Sequence, residues 1–135
     1  MDRSFKRLKL LIIEDNQSYQ ELYKEILGDK YDIDIAGNKE EALAKVKAQA
    51  PDIALVDMRL VFNERGNQDG LDVAQSIRDL GYNTAIILKS GFPTETPEIA
   101  KRIESLKVYK VLDKNAQNAV QELVESVNSA AARIK

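Results

Sequence analysis

The sequence predicts an α/β fold in which a parallel sheet is covered by helices on both faces. Five short apolar runs alternate with five segments of helical period. The first, third and fourth runs are almost continuously apolar, as in strands buried on both sides. Strands separated by helices must cross over right-handed, which makes neighbouring strands parallel. With 135 residues, 44% of them hydrophobic and no repeat or low-complexity linker, the chain suits one domain with one sizeable core.

The runs are Leu8 to Ile13, Tyr31 to Ala36, Ile53 to Val56, Ala85 to Leu88 and Val108 to Leu112. After the first, Tyr19, Leu22, Tyr23, Ile26 and Leu27 form one helical stripe that Gly28 can end. Asn38 with Glu41 reads as a capping pair for a second helix burying Leu43, Val46 and Ala50, and Pro51 stops it. Leu71, Ala74, Ile77 and Leu80 predict a third helix, closed by Gly81. Pro97 behind Thr96 opens a fourth with Ile99, Ile103 and Leu106. Val120, Leu123, Val124 and Val127 predict the last, continuing toward Ile134. The irregular stretch is Val61 to Gly70, a polar loop with two glycines that is long for a βα connection.

Composition narrows the chemistry. The net charge is −2, from 22 acidic and 20 basic residues, so no overall field favours nucleic acid or an anionic membrane, and neither is expected as a partner. Cysteine is absent, which removes disulfides, thiolate metal sites and cysteine nucleophiles. Histidine is absent too, which removes imidazole bases and ligands. Chemistry must run on carboxylates, hydroxyls and lysine. The apolar run Leu10 to Ile13 is too short for a signal sequence and ends at Glu14-Asp15, so a cytoplasmic location is expected.

In an open parallel sheet, ligands bind at the edge formed by the carboxyl ends of the strands. The residues just past the predicted strands are Glu14 and Asp15, Asp57, Ser90 and Gly91, and Lys114. Each has an ordinary alternative: Asp15-Asn16 as a helix cap, Asp57 as a turn former, Ser90 as a local backbone partner, Lys114 as a solvated lysine. Their convergence at one edge argues for a shared site. Clustered carboxylates repel one another unless a cation joins them, and an all-oxygen set suits Mg²⁺. A carboxylate beside a metal, Lys114, the Ser90 hydroxyl and the Gly91 N–H is arranged to receive a phosphoryl group.

The segments LIIEDNQ, AGNKEEAL, PDIALVDMRL, DGLDVAQSIR, TAIILKSG and VLDK together resemble the receiver domains of two-component response regulators, chemotaxis-regulator-like, over essentially the whole chain. The resemblance implies a doubly wound (βα)5 flavodoxin-like fold with strand order 2-1-3-4-5. It implies that Asp57 accepts phosphate from a phosphohistidine on a partner histidine kinase or phosphotransfer protein. Asp15 would bind Mg²⁺ directly, Glu14 mainly through water, and Asp57 and the Arg59 backbone carbonyl would join them. Lys114 would pair with the phosphoryl group, and Ser90 would move toward it. The expected module is a single receiver domain over residues 1–135 with no output domain, and not an enzyme with a diffusing substrate.

Three positions depart from the family pattern. Val61 replaces the usual proline four residues after the acceptor, in a loop longer than usual by about five residues. That loop is expected either to lie over the acidic pocket or to be a plain surface insertion. Asn115 follows Lys114 where a cis-proline is usual, so the bond is expected to be trans or a strained peptide. Val111 stands where an inward-turning aromatic usually completes the switch, and alternation puts Tyr109 on the same face as a substitute. Lys101, Arg102, Lys107, Tyr109 and Lys110 form a basic neighbourhood around the fourth helix and fifth strand, either a solvated face or a surface for a downstream partner or a homodimer. The departures motivate an alternative reading, a pseudo-receiver regulated without phosphorylation. A phosphate-ester hydrolase resembling haloacid dehalogenases is disfavoured by Arg59, where that family has a second aspartate.

Overall fold

The computed structural model describes residues 7–58, 67–91 and 96–134. Ten elements alternate: β1 (Lys9–Ile13), α1 (Gln17–Leu27), β2 (Asp32–Ala36), α2 (Lys39–Ala48), β3 (Ile53–Asp57), α3 (Asp69–Asp79), β4 (Ala85–Ser90), α4 (Pro97–Leu106), β5 (Lys110–Asp113) and α5 (Ala119–Ile134). The strands form one parallel sheet in the order β2-β1-β3-β4-β5, as expected. The order reverses beside β1, between β2 and β3.

Side-chain alternation along the strands builds two cores. Leu10 and Ile12 of β1, Ile53 and Leu55 of β3 and Ile87 of β4 face Tyr23 and Leu27 of α1 and Leu123 and Val127 of α5. Leu11, Ile13, Ala54, Val56, Ile86 and Leu88 face Val46 of α2, Leu71 and Ile77 of α3 and Leu106 of α4. The central strand β3 is buried along its whole length, which explains its unbroken apolar run.

The helix starts follow their caps. Asn16 accepts the Tyr19 N–H at 3.1 Å, Asn38 the Glu41 N–H at 2.8 Å, and Thr96 the Ile99 N–H at 3.2 Å. Gly81, at φ 83°, takes the left-handed conformation that closes α3. Thr84 is buried and donates to the Pro51 carbonyl at 2.7 Å, tying the start of β4 to that of β3. Thr84→Val removes this donor at nearly constant shape, and a loss of about 1–2 kcal/mol in urea denaturation is expected.

Some boundaries and faces differ from the sequence reading. β3 continues through Asp57 and β4 through Ser90, because backbone pairing does not depend on side-chain polarity: Asp57 is in register with Lys89, and Ser90 with Asp113. α2 ends at Ala48, as the chain turns extended at Gln49 ahead of Pro51. Ala50 is consequently exposed, and Ala42 fills the buried position instead. Leu80, Tyr19 and Ile26 are exposed at the outer ends of their stripes, whereas Val73 is buried.

Tyr109 lies just before β5 and its N–H bonds the Ile86 carbonyl of β4 at 2.7 Å, but its side chain does not share the face of Val111. Tyr109 packs instead against the α1/α5 core, its hydroxyl 2.6 Å from the Ser129 hydroxyl and its ring 5.5 Å from the Arg133 guanidinium. Val111, on the edge strand, is 44% exposed.

Candidate functional site

The carboxyl ends of β1, β3, β4 and β5 bring the candidate residues together. Glu14 follows β1 and is 2% exposed, its N–H donating to the Ala36 carbonyl at 3.0 Å. Asp57 ends β3 at 3% exposure. Glu14, Asp15 and Asp57 each offer a carboxylate oxygen, and the three atoms lie within 4.8 Å of one another. The Lys114 ammonium is 2.5 Å from Asp57 Oδ1.

The helix cap is Asn16, which leaves the half-buried Asp15 to the acidic group. Burial pushes the Asp57 carboxyl up to about 6, against the downward pull of Lys114 and with a further upward push from the charge on Glu14. Asp15 is raised as well, by burial first and then by Glu14. The charge of Glu14 thus bears on both Asp15 and Asp57, a crowding that a divalent cation would relieve, and the all-oxygen character of the set fits Mg²⁺.

Ser90 is buried at the end of β4, and its carbonyl accepts the Lys114 N–H at 2.8 Å, which holds the lysine's backbone against the neighbouring strand. Gly91 follows, with the aliphatic stem of Lys114 alongside it. No cis peptide occurs among the described residues, so the Lys114–Asn115 bond is trans. Asn115 secures the turn differently from a proline: its side chain donates to the Gly91 carbonyl at 2.8 Å and its N–H to the Asp113 carboxylate at 2.8 Å. Arg59 and Val61, with most of the long loop, lie outside the described residues.

Sequence reasoning missed three participants. Lys89, buried in β4, bonds Glu14 Oε1, and its ammonium also donates to the Tyr23 hydroxyl at 2.5 Å. The available signal was a lysine inside the apolar run AIILKS. Tyr23, read only as part of a stripe, has its hydroxyl pKa raised by burial and then by Glu14. Gly70, read as a loop glycine, packs directly on the Asp57 backbone.

The basic neighbourhood is partly neutralised within the fold. Arg102 donates to Asp72 at 2.7 Å and to Gln68 at 2.8 Å, clamping α4 to the start of α3. Lys101, Lys107 and Lys110 are exposed.

A doubly wound sheet of this order, with an acidic pocket and a lysine at its carboxyl edge, defines a receiver-type signalling module. The chain belongs to the response regulator receiver domain family, whose model matches residues 10–128. It is 31% identical over 84 residues to the acid tolerance regulatory protein ActR of Sinorhizobium medicae, an alignment covering 62% of this chain and 41% of the relative. It is also 31% identical over 81 residues to the transcriptional regulatory protein DltR of Streptococcus agalactiae, covering 59% and 34%. These alignments thus span well under half the length of either relative.

Among solved structures, it superposes on the N-terminal domain of a response regulator/sensory box/GGDEF 3-domain protein from Carboxydothermus hydrogenoformans. The TM-score is 0.73 at 26% identity, over 94% of this chain and 99% of the other. The signal receiver domain of a modulated diguanylate cyclase from Desulfovibrio desulfuricans G20 gives 0.70 at 28% identity, over 95% and 96%. No described helix is long and apolar enough to cross a membrane.

Proposed function

We propose that this chain takes a phosphoryl group onto Asp57 from the phosphohistidine of a partner kinase or phosphotransfer protein, and that the modified state binds a downstream partner differently. The observation that carries the reading is the buried Asp57 carboxylate, bonded to Lys114 within a cluster of three carboxylates. Glu14, Asp15 and Asp57 would hold Mg²⁺, which supplies charge neutralisation for phosphoryl oxygens and attacking carboxylate. An Asp57 oxygen forms the new P–O bond as the P–N bond to the partner's imidazole breaks. Lys114 would pair with the incoming oxygens, and Ser90 at the adjacent strand end would register their arrival.

The fixed position of Tyr109 on α5 and the exposure of Val111 favour a switch that does not depend on an inward-turning aromatic. Tyr109→Ala is accordingly expected to leave phospho-dependent partner binding intact.

The test is intact-mass measurement of the parent and of Asp57→Asn after incubation with Mg²⁺ and a small acyl phosphate. A single phosphoryl adduct on the parent alone is expected, and it should disappear when a chelator replaces the metal. No adduct on the parent, beside a control receiver modified in the same tube, would replace this reading with a pseudo-receiver regulated through binding alone.

A further inference from the structure

Among the described residues, three carboxylates meet at this site and two ammonium groups meet them. Lys114 serves Asp57 from the solvent side, whereas Lys89 reaches Glu14 from inside the protein. The Lys89 side chain is only 7% exposed. Besides Glu14 and the Tyr23 hydroxyl, its ammonium faces the ring of Tyr19 at 4.9 Å, and the Tyr19 and Tyr23 rings stack on each other with centroids 5.9 Å apart. An ammonium held by a carboxylate, a hydroxyl and an aromatic face is a fixed charge, not a mobile surface lysine.

The consequence falls on Glu14. Its Oε1 is taken by Lys89, and its Oε2 accepts the Asn16 N–H at 3.1 Å. Both oxygens are therefore engaged by the chain itself. A divalent cation among Glu14, Asp15 and Asp57 must compete with Lys89 for the Glu14 carboxylate and bear the repulsion of a positive charge across that same group.

We propose that Lys89 is a built-in counter-cation that holds Glu14 and sets the Mg²⁺ requirement of this site, so that the metal binds only at higher concentration than the three carboxylates alone would require. Lys89 acts through Glu14 and is a positioning residue. The inference rests on the reading of the acidic cluster as a Mg²⁺ site.

Calorimetric Mg²⁺ titration of the parent, Lys89→Met and Lys89→Gln tests it, with thermal unfolding to establish that each variant is folded. Methionine keeps the apolar stem, and glutamine keeps a polar hydrogen-bond donor without the charge, so the glutamine variant carries the test if methionine leaves the protein unfolded. Both variants are expected to bind Mg²⁺ at least about tenfold more tightly than the parent. In a Glu14→Gln background the gain should shrink, which a purely structural role for Lys89 would not produce. Unchanged or weaker Mg²⁺ binding by a folded variant, with the parent binding normally, overturns the proposal and leaves the phosphoacceptor reading standing. If parent and folded variants all fail to bind Mg²⁺, the metal reading falls and this proposal with it.

Discussion

Gly70→Ala is expected to destabilise the protein by about 3 kcal/mol or more and to disorganise the end of β3. A Cβ built on Gly70 lies 2.0 Å from the Asp57 carbonyl oxygen and 2.8 Å from both the Asp57 carbonyl carbon and the Met58 Cα. All three are backbone atoms of the strand end that carries the candidate acceptor, so no side chain can swing aside to make room. Relief requires moving the first turn of α3 away from β3, and that breaks the bond from the Gly70 N–H to the Met58 carbonyl, now 3.0 Å. Leu71 and Val73, both fully buried next in the helix, would be drawn out of the core by the same shift. Urea denaturation measures the loss. A change below about 1 kcal/mol would mean that β3 and α3 can separate without cost to the core beneath them. In variants that remain folded, phosphoryl acceptance should fall more than stability does, because Asp57 itself is displaced.

Asp57→Asn should have two effects of opposite sign. Phosphoryl acceptance is lost, since an amide is not a nucleophile at this site. Stability at pH 7 in chelated buffer should nevertheless rise by about 1–3 kcal/mol, the upper end corresponding to a shift of roughly two pH units. The buried Asp57 carboxyl titrates at about 6 in the folded protein against 3.8 when unperturbed. Between those values the folded state keeps a proton that the unfolded chain has already released. The parent therefore loses stability as pH rises from about 4 to 6, and the penalty is complete above that window.

Asparagine carries no charge to bury, so the two proteins should converge below about pH 4 and separate above it. Lys114 loses a partner in the variant, but at 30% exposure its ammonium can turn to water, which limits the offset. Added Mg²⁺ should narrow the gap by stabilising the parent selectively. Thermal unfolding from pH 4 to pH 8 in chelator is the measurement, and a pH-independent difference would show that burial of this charge is not what strains the site.

Much of this architecture can be read directly from local patterns. Strand-length apolar runs, helical stripes and side-chain caps depend on neighbours within a few residues: Asn38 and Thr96 cap where their spacing indicates, and of the pair Asp15-Asn16 it is Asn16 that caps. The alternation of elements implies a parallel sheet, and a parallel sheet collects the ends of its strands at one edge. That chain of reasoning reaches Glu14, Asp15, Asp57, Ser90 and Lys114 without coordinates.

What only the tertiary structure decided concerns pairs distant in sequence. Lys89 and Glu14 meet because β4 and β1 flank β3 and both turn the relevant side chain toward α1, a coincidence of strand order and face that no local period encodes. Gly70 is required by the approach of α3 to β3, which depends on how a helix seats on the sheet. Tyr109 faces α5 although its N–H still bonds the Ile86 carbonyl of β4 at 2.7 Å, because its hydroxyl and ring meet Ser129 and Arg133, partners some twenty residues further along the chain. Local sequence determined the elements and placed the chemistry at their ends, while long-range packing decided which charges are buried together and therefore how tightly that chemistry is held.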